Sequence, residues 1–101
     1  MKQNIGYFDE ALLDLKEAKN WYKSINVNLD KRFSRIVGQT IKRISENPLL
    51  FPEKYGQIRV AVLSKFPYTV QYFIENETNK IIIVAIFHDK RNPQTVFDRL
   101  N

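Results

Sequence analysis

The feature that most narrows what this chain can fold into is a change of hydrophobic period at Asn47-Pro48. Before it, apolar residues recur at three- and four-residue steps; after it, they alternate or run continuously. The first pattern belongs to helices with one buried stripe and the second to strands. Helices first and strands second, rather than alternating βαβ units, point to an α+β layer fold.

In "FDEALLDLKEAKNWYKSI" the residues Phe8, Leu12, Leu15, Ala18, Tyr22 and Ile25 share one stripe. Asp9 and Glu10 open the segment while Lys19 and Lys23 lie near its end, the order that complements a helix dipole. The spacing predicts a first helix from Asp9 to about Ser24. After the polar break Asn26-Val27-Asn28, a second stripe of Leu29, Phe33, Ile36, Val37, Thr40, Ile41 and Ile44 predicts a helix from about Leu29 to Glu46, stopped by Pro48. So short a connection makes the pair an antiparallel helical hairpin.

Beyond it, "PLLFPEKYGQ" carries two prolines and a glycine and reads as a connecting loop. "IRVAVLSKF", "YTVQYFIE" and "KIIIVAIFH" read as the strands of an antiparallel meander, the last apolar throughout as a central strand should be. "QNIGYF" can add an edge strand, though Gly6 weakens it. Asn92-Pro93 has the chemistry of a helix start, with Val96, Phe97 and Leu100 on the apolar side of a short final helix. The expected architecture is one α+β domain over residues 1–101. An N-terminal antiparallel helical hairpin packs on one face of a three- to four-stranded antiparallel sheet, a short C-terminal helix follows, and the other sheet face stays partly open.

Composition restricts the chemistry. With no cysteine and one histidine among 101 residues, disulfides and thiolate metal sites are excluded, and no metal or other cofactor is expected. Neither a signal-peptide run nor a stretch of about 20 apolar residues is present, so no membrane partner and a cytoplasmic location are expected. The net charge of +5 favours an anionic partner: RNA, DNA or an acidic protein.

The stretch "AIFHDKRNP", Ala85 to Pro93, sets that histidine beside an acid and two adjacent cations where a buried strand should end. Strand ends on a rigid sheet commonly hold functional groups. His88, Asp89, Lys90 and Arg91 are therefore candidates for an anion site; the alternative is a solvated strand end whose histidine is satisfied by backbone. Arg59 interrupts the apolar alternation of its strand and can project toward a phosphate or carboxylate, or else is an edge charge that blocks aggregation. Tyr68 and Tyr72 share a strand face, and Tyr55 precedes the first long strand. Rings interleaved with cations can stack on bases, although such tyrosines are more often core or groove wall. Lys31, Arg32, Arg35, Lys42 and Arg43 form a basic stripe on the second helix, which either meets nucleic acid or is its solvated side.

Three stretches carry a resemblance over nearly the whole chain: "EALLDLKEAKNWY", "RFSRIVGQTIKRISENPLLFPEKYGQIR" and "FPYTVQYFIENETNKIIIVAIFHDKRNP", the last ending in His-x-x-Arg-Asn-Pro. Their order, spacing and total length resemble the RelE/ParE toxin superfamily. The resemblance implies a toxin of a bacterial type II toxin-antitoxin pair, a small basic protein that arrests growth when its antitoxin is degraded. It also implies a cognate antitoxin as partner. That antitoxin is expected to be acidic, with a tail that folds as it binds apolar grooves at the margins of the hairpin. Leu12, Leu15, Phe33 and Ile36 are the candidates for that contact.

Function divides within the superfamily. RelE-like members cut messenger RNA, generally on the ribosome, using Arg, Lys, Tyr or His on the open sheet face without metal. ParE-like members, sometimes labelled plasmid-stabilisation proteins, inhibit DNA gyrase. RNA cleavage through the 2′-hydroxyl needs a base, cations for the phosphorane and an acid for the leaving oxygen. His88, Arg91 and Arg59 are the catalytic candidates for such a ribonuclease, with Lys90 or Tyr72 assisting, but a second unambiguous acid/base is missing. The "FPY…Y…IE…IFH..RNP" pattern also looks closer to ParE-like members. The favoured expectation is gyrase inhibition by binding, with Arg59, Tyr72, His88, Lys90 and Arg91 as the toxicity surface. The alternative is a ribosome-dependent mRNA endoribonuclease. A third reading, a non-toxic basic nucleic-acid-binding module, needs only the charge and leaves the resemblance unexplained.

Overall fold

The computed structural model describes residues 4–101. The chain runs β1 (Ile5–Tyr7), α1 (Asp9–Ile25), α2 (Val27–Glu46), β2 (Glu53–Tyr55), β3 (Ile58–Val62), β4 (Tyr68–Ile74), β5 (Ile81–His88) and α3 (Gln94–Leu100). Gln3, the first residue of the expected edge strand, lies outside the described residues.

A single residue joins the two long helices. The backbone N–H of Asn26 donates to the Tyr22 carbonyl and ends α1, while its side chain accepts from the Asn28 N–H and starts α2. Asparagine suits this double task because its side-chain oxygen can cap a helix whose first N–H groups have no intrahelical partner.

The sheet has five strands in the order β1-β5-β4-β3-β2. β3, β4 and β5 form the expected antiparallel meander. Two short strands extend it. β1 pairs with β5 in parallel, Tyr7 opposite Ile83, which makes the sheet mixed. β2 lies inside the segment that reads as loop and pairs with β3, Glu53 opposite Arg59. Three-residue strands beside proline and glycine offer too few positions for alternation to register.

Between β4 and β5 the pairing slips. Tyr72 faces Ile83 but Gln71 faces Ala85, so Val84 is the extra residue of a β-bulge. A bulge reverses the alternation beyond it. Ile81 and Ile83 pack with the helices before it; after it Ile86 does so, and His88 stands beside Tyr68 on the same side.

Each sheet face has its own core. α1 and α2 cover the face bearing Val70, Tyr72, Ile81, Ile83 and Ile86. There Phe33 is fully buried, with the rings of Tyr22, Phe66 and Tyr68 at 5.1, 5.2 and 5.1 Å. The second face is more closed than expected: α3 brings Val96 into a cluster with Ile58, Val60, Val84, Ala85 and Phe87.

The largest departure from the sequence pattern is the rotation of α1. Its buried residues are Ala11, Asp14 and Ala18, whereas Leu12 and Ile25, assigned by spacing to the buried stripe, are 47% and 59% exposed. Two alanines let the helix approach β5 closely, and the carboxylate between them finds partners there.

Truncating Phe33 to alanine removes the centre of the ring cluster and should destabilise the fold by about 3–5 kcal/mol. Arg35→Ala, on the exposed side of α2, should change it by less than about 0.5 kcal/mol; urea melts give both values. Burial raises the pKa of Tyr7, Tyr22, Tyr68 and Tyr72 above 10.0, the proximity of Tyr68 adding to the effect on Tyr22. The unfolded chain therefore releases these protons first. Stability contributed by the neutral hydroxyls is intact below about pH 10 and is lost as the pH climbs through the folded-state values. Melting temperatures should stay level on this account from pH 8 to about 10 and fall above it, in step with a late phenolate absorbance rise at 295 nm.

Candidate functional site

The end of β5 and the loop after it form the candidate site. β1 ends opposite Ile83, and the Phe8 N–H donates to the Ile83 carbonyl at 2.9 Å. Past that point the outer edge of β5 has no strand beside it. The bulge turns the Val84 carbonyl and the Ile86 N–H toward this bare edge, and both need partners in a buried setting.

Side chains supply them. Asp14, from α1, accepts the Ile86 N–H on Oδ2 at 3.1 Å. Arg99, from α3, donates Nη1 to the Val84 carbonyl at 3.1 Å and also grips the carboxylate in bidentate fashion, Nη1 to Oδ2 at 2.6 Å and Nη2 to Oδ1 at 2.9 Å. The ion pair thus stands where a neighbouring strand's peptide would stand. The hydrogen bonds that Arg99 donates to Asp14 push its pKa still higher, against a smaller opposing effect of burial, so the guanidinium keeps its charge at any working pH.

Above this buried pair sits Arg91. Its Nη1 lies 3.9 Å from Asp14 Oδ1, and its side chain is 44% exposed. The guanidinium carbons of Arg91 and Arg99 lie 5.1 and 5.5 Å from the centre of the Phe87 ring, within cation–π range. The loop is held in place: Asp89 N–H donates to the Pro67 carbonyl, Arg91 N–H to the His88 carbonyl, and Asn92 Oδ1 accepts the Gln94 N–H that opens α3.

His88 presents an edge to Tyr68, ring centres 5.5 Å apart. Its Nδ1 accepts the Lys90 N–H at 3.2 Å and lies 3.1 Å from Asp89 Oδ1. A ring whose Nδ1 accepts carries its proton on Nε2; protonation of Nδ1 would exchange the amide for the carboxylate. Lys90 is exposed beside it. Asp14, Glu17, Tyr68, Phe87, His88 and Arg91 line a cleft of about 160 Å³, small against the roughly 300 Å³ at which ligand pockets begin.

Two of the residues expected on the toxicity surface are elsewhere. Tyr72 is fully buried under the helices and its hydroxyl donates to the Pro48 carbonyl at 2.7 Å. Arg59 donates Nη1 to the Phe51 carbonyl at 2.7 Å. Together they tie the connection between α2 and β2 to the sheet. Arg59 stands opposite Tyr72 and His88 opposite Tyr68. Four residues along β4 and two strand spacings separate them, a diagonal of about 16 Å. With its guanidinium held at the Phe51 carbonyl, Arg59 lines a different cleft from that of His88 and Arg91.

The residues expected at the antitoxin contact also divide. Phe33 and Ile36 are core, 0% and 8% exposed, so no partner reaches them in this fold. Leu12 and Leu15 line a groove on α1 with Lys16, Lys19 and Asn20. Lys31, Arg32, Arg35, Lys42 and Arg43 all face solvent, as a solvated helix face does. Sequence reasoning missed Asp14, Glu17 and Arg99. The signal for Asp14 is its place midway between Ala11 and Ala18, on a line of small residues; Arg99 gives none beyond its type.

The comparisons with known proteins agree with this architecture. The chain is similar to a chain of the chromosomal ParDE system of Pseudomonas aeruginosa (TM-score 0.73, 14% identity, 86% of this chain and 96% of that one). It is also similar to a chain of a RelBE toxin-antitoxin complex from Mycobacterium tuberculosis (TM-score 0.61, 16% identity, 87% and 99%). A third likeness is to a free arginine double mutant of the Escherichia coli toxin RelE (TM-score 0.62, 10% identity, 98% and 94%). At these identities the likeness is one of fold. No curated protein sequence matches significantly. The model of the ParE toxin of the type II toxin-antitoxin system parDE matches residues 7–93, and with the helical hairpin, the sheet and the short final helix all in place, the chain belongs to that toxin family.

Proposed function

We propose that this ParE-family toxin arrests growth by binding DNA gyrase rather than by cutting RNA, through a surface centred on Arg91, Lys90 and His88. The observation that carries the reading is the dispersal of the catalytic candidates. Metal-free RNA cleavage needs a base, an acid and cations converging on one phosphate within hydrogen-bond reach. The Cα atoms of Arg59 and His88 are about 16 Å apart by strand geometry, the Arg59 guanidinium is held at the Phe51 carbonyl, and Tyr72 is fully buried. The cleft that His88 and Arg91 do share also contains the carboxylate of Glu17, which repels a phosphodiester, and that of Asp14, which Arg99 already neutralises. An exposed arginine with a fixed stem suits contact with a protein instead, since its planar fork loses little freedom per bond formed.

The same proposal includes a cognate antitoxin whose acidic, apolar tail folds onto α1. Leu12 and Leu15 supply the apolar floor of that groove, and Lys16 and Lys19 its cationic rim, the complement of an acidic amphipathic helix. Among the described residues no helix is long and apolar enough to cross a membrane. Action in the cytoplasm, where gyrase works, is part of the proposal.

Arg91→Ala should abolish inhibition of gyrase supercoiling and growth arrest while leaving the melting temperature nearly unchanged. His88→Gln separates the mechanisms. A nuclease relying on this histidine should lose roughly 10²–10⁴ in the rate of mRNA cleavage on ribosomes, whereas an inhibitor by binding should show no cleavage to lose and weaken on gyrase by about tenfold or less, the loss of one contact. Leu12→Glu should weaken binding of the co-expressed antitoxin roughly tenfold or more and spare gyrase inhibition. Full antitoxin affinity in that variant, measured by titration calorimetry, would remove α1 from the interface.

A further inference from the structure

Arg91 stays 44% exposed and makes no hydrogen bond to the buried carboxylate of Asp14, although that group lies 3.9 Å from it. We infer that Arg99 is a positioning residue for Arg91, acting through Asp14: by occupying that carboxylate it leaves Arg91 free to meet a partner. The inference rests on the reading of Arg91 as part of the target-binding surface.

The geometry of Asp14 carries the argument. A carboxylate offers about four lone-pair sites. Arg99 takes one on each oxygen and the Ile86 N–H takes another on Oδ2, leaving the free site on Oδ1, the atom nearest Arg91. The two arginines are unequal in burial, 10% exposed for Arg99 and 44% for Arg91, so Arg99 holds the inner place and Arg91 the outer one.

Remove Arg99 and the balance reverses. Asp14, 5% exposed at its side chain, would be a buried charge without a counterion, which is strongly unfavourable. Among the described residues Arg91 is the other cation within 4.0 Å of it. Rotation of its side chain would complete the pair, and the Phe87 ring, which already touches both guanidinium groups, would flank it there as well. The toxin would keep Arg91 and lose its use.

The test is made on the whole chain by mutation of the pair. In Arg99→Gln, Arg91 should be drawn inward. Its Nε proton, followed by NMR, should then exchange with water about tenfold more slowly, and gyrase inhibition should fall to that of Arg91→Ala. In the double variant Asp14→Asn/Arg99→Gln there is no charge to capture Arg91, while the amide oxygen at position 14 can still accept the Ile86 N–H. Arg91 exchange should return to the wild-type rate, and inhibition to within about threefold of wild type. A purely structural role predicts the opposite order, the double variant being no better than the single. An Arg91 proton unaltered by Arg99→Gln, or a double variant that does not recover, overturns the inference. Should Arg99→Gln not fold, Arg99→Lys serves, since an ammonium cannot hold both oxygens in fork geometry; an unchanged Arg91 proton in that variant again counts against it. If Arg91→Ala itself inhibits gyrase as wild type does, the binding surface has been misassigned, and the exchange measurement still decides whether Arg99 governs Arg91.

Discussion

The buried pair of Asp14 and Arg99 is the interaction on which the rest of the structure depends. It satisfies the two backbone groups that the Val84 bulge leaves without strand partners, and in doing so fastens α1 and α3 to the same point of β5. As a source of stability such a pair has little advantage over an apolar substitute, since desolvation offsets much of the attraction. Its directional requirements are stricter. A greasy contact would tolerate α1 at several rotations; two guanidinium bonds and one amide bond on a single carboxylate accept one.

That constraint explains why the fold was largely legible in the sequence and the site only partly. The helical hairpin, the meander of β3 to β5 and the final helix all follow from stripes and alternations of apolar residues, which report burial directly. The orientation of α1 does not. Leu12 and Leu15 outweigh Ala11 and Ala18 in any apolar pattern, yet close approach favours the alanines, and an aspartate in the pattern reads as solvent-facing. The bulge is likewise silent, because "KIIIVAIFH" is apolar on both faces and a one-residue slip leaves no gap in its pattern. Tyr72 was misassigned for a related reason. Its alternation with Val70 and Ile74 correctly placed it on one face, but nothing in that spacing says which face the hairpin covers or that the Pro48 carbonyl waits for its hydroxyl.

The bulge arranges the candidate site too. Without Val84 as an extra residue, His88 would fall on the opposite side of the sheet, under α3, and Phe87 would meet α1. With it, His88 turns beside Tyr68 toward the cleft, while Phe87 lies between the arginines. One inserted residue thus assigns the strand's last side chains to their two surroundings, an economy that bulges near functional sites commonly show.

The spread of the central contacts along the chain sets an order in time. Asp14 and Arg99 are 85 residues apart, and β1 pairs with a strand made near the end of the same interval. At translation speeds of about 5–20 residues per second, α1 leaves the ribosome roughly 4–17 s before the arginine that will neutralise its carboxylate. Until then the Asp14 carboxylate has no counterion and α3 is not yet in place against the second sheet face. The fold is therefore completed all at once, after an interval in which α1 exists without the strand and the arginine that its buried face meets.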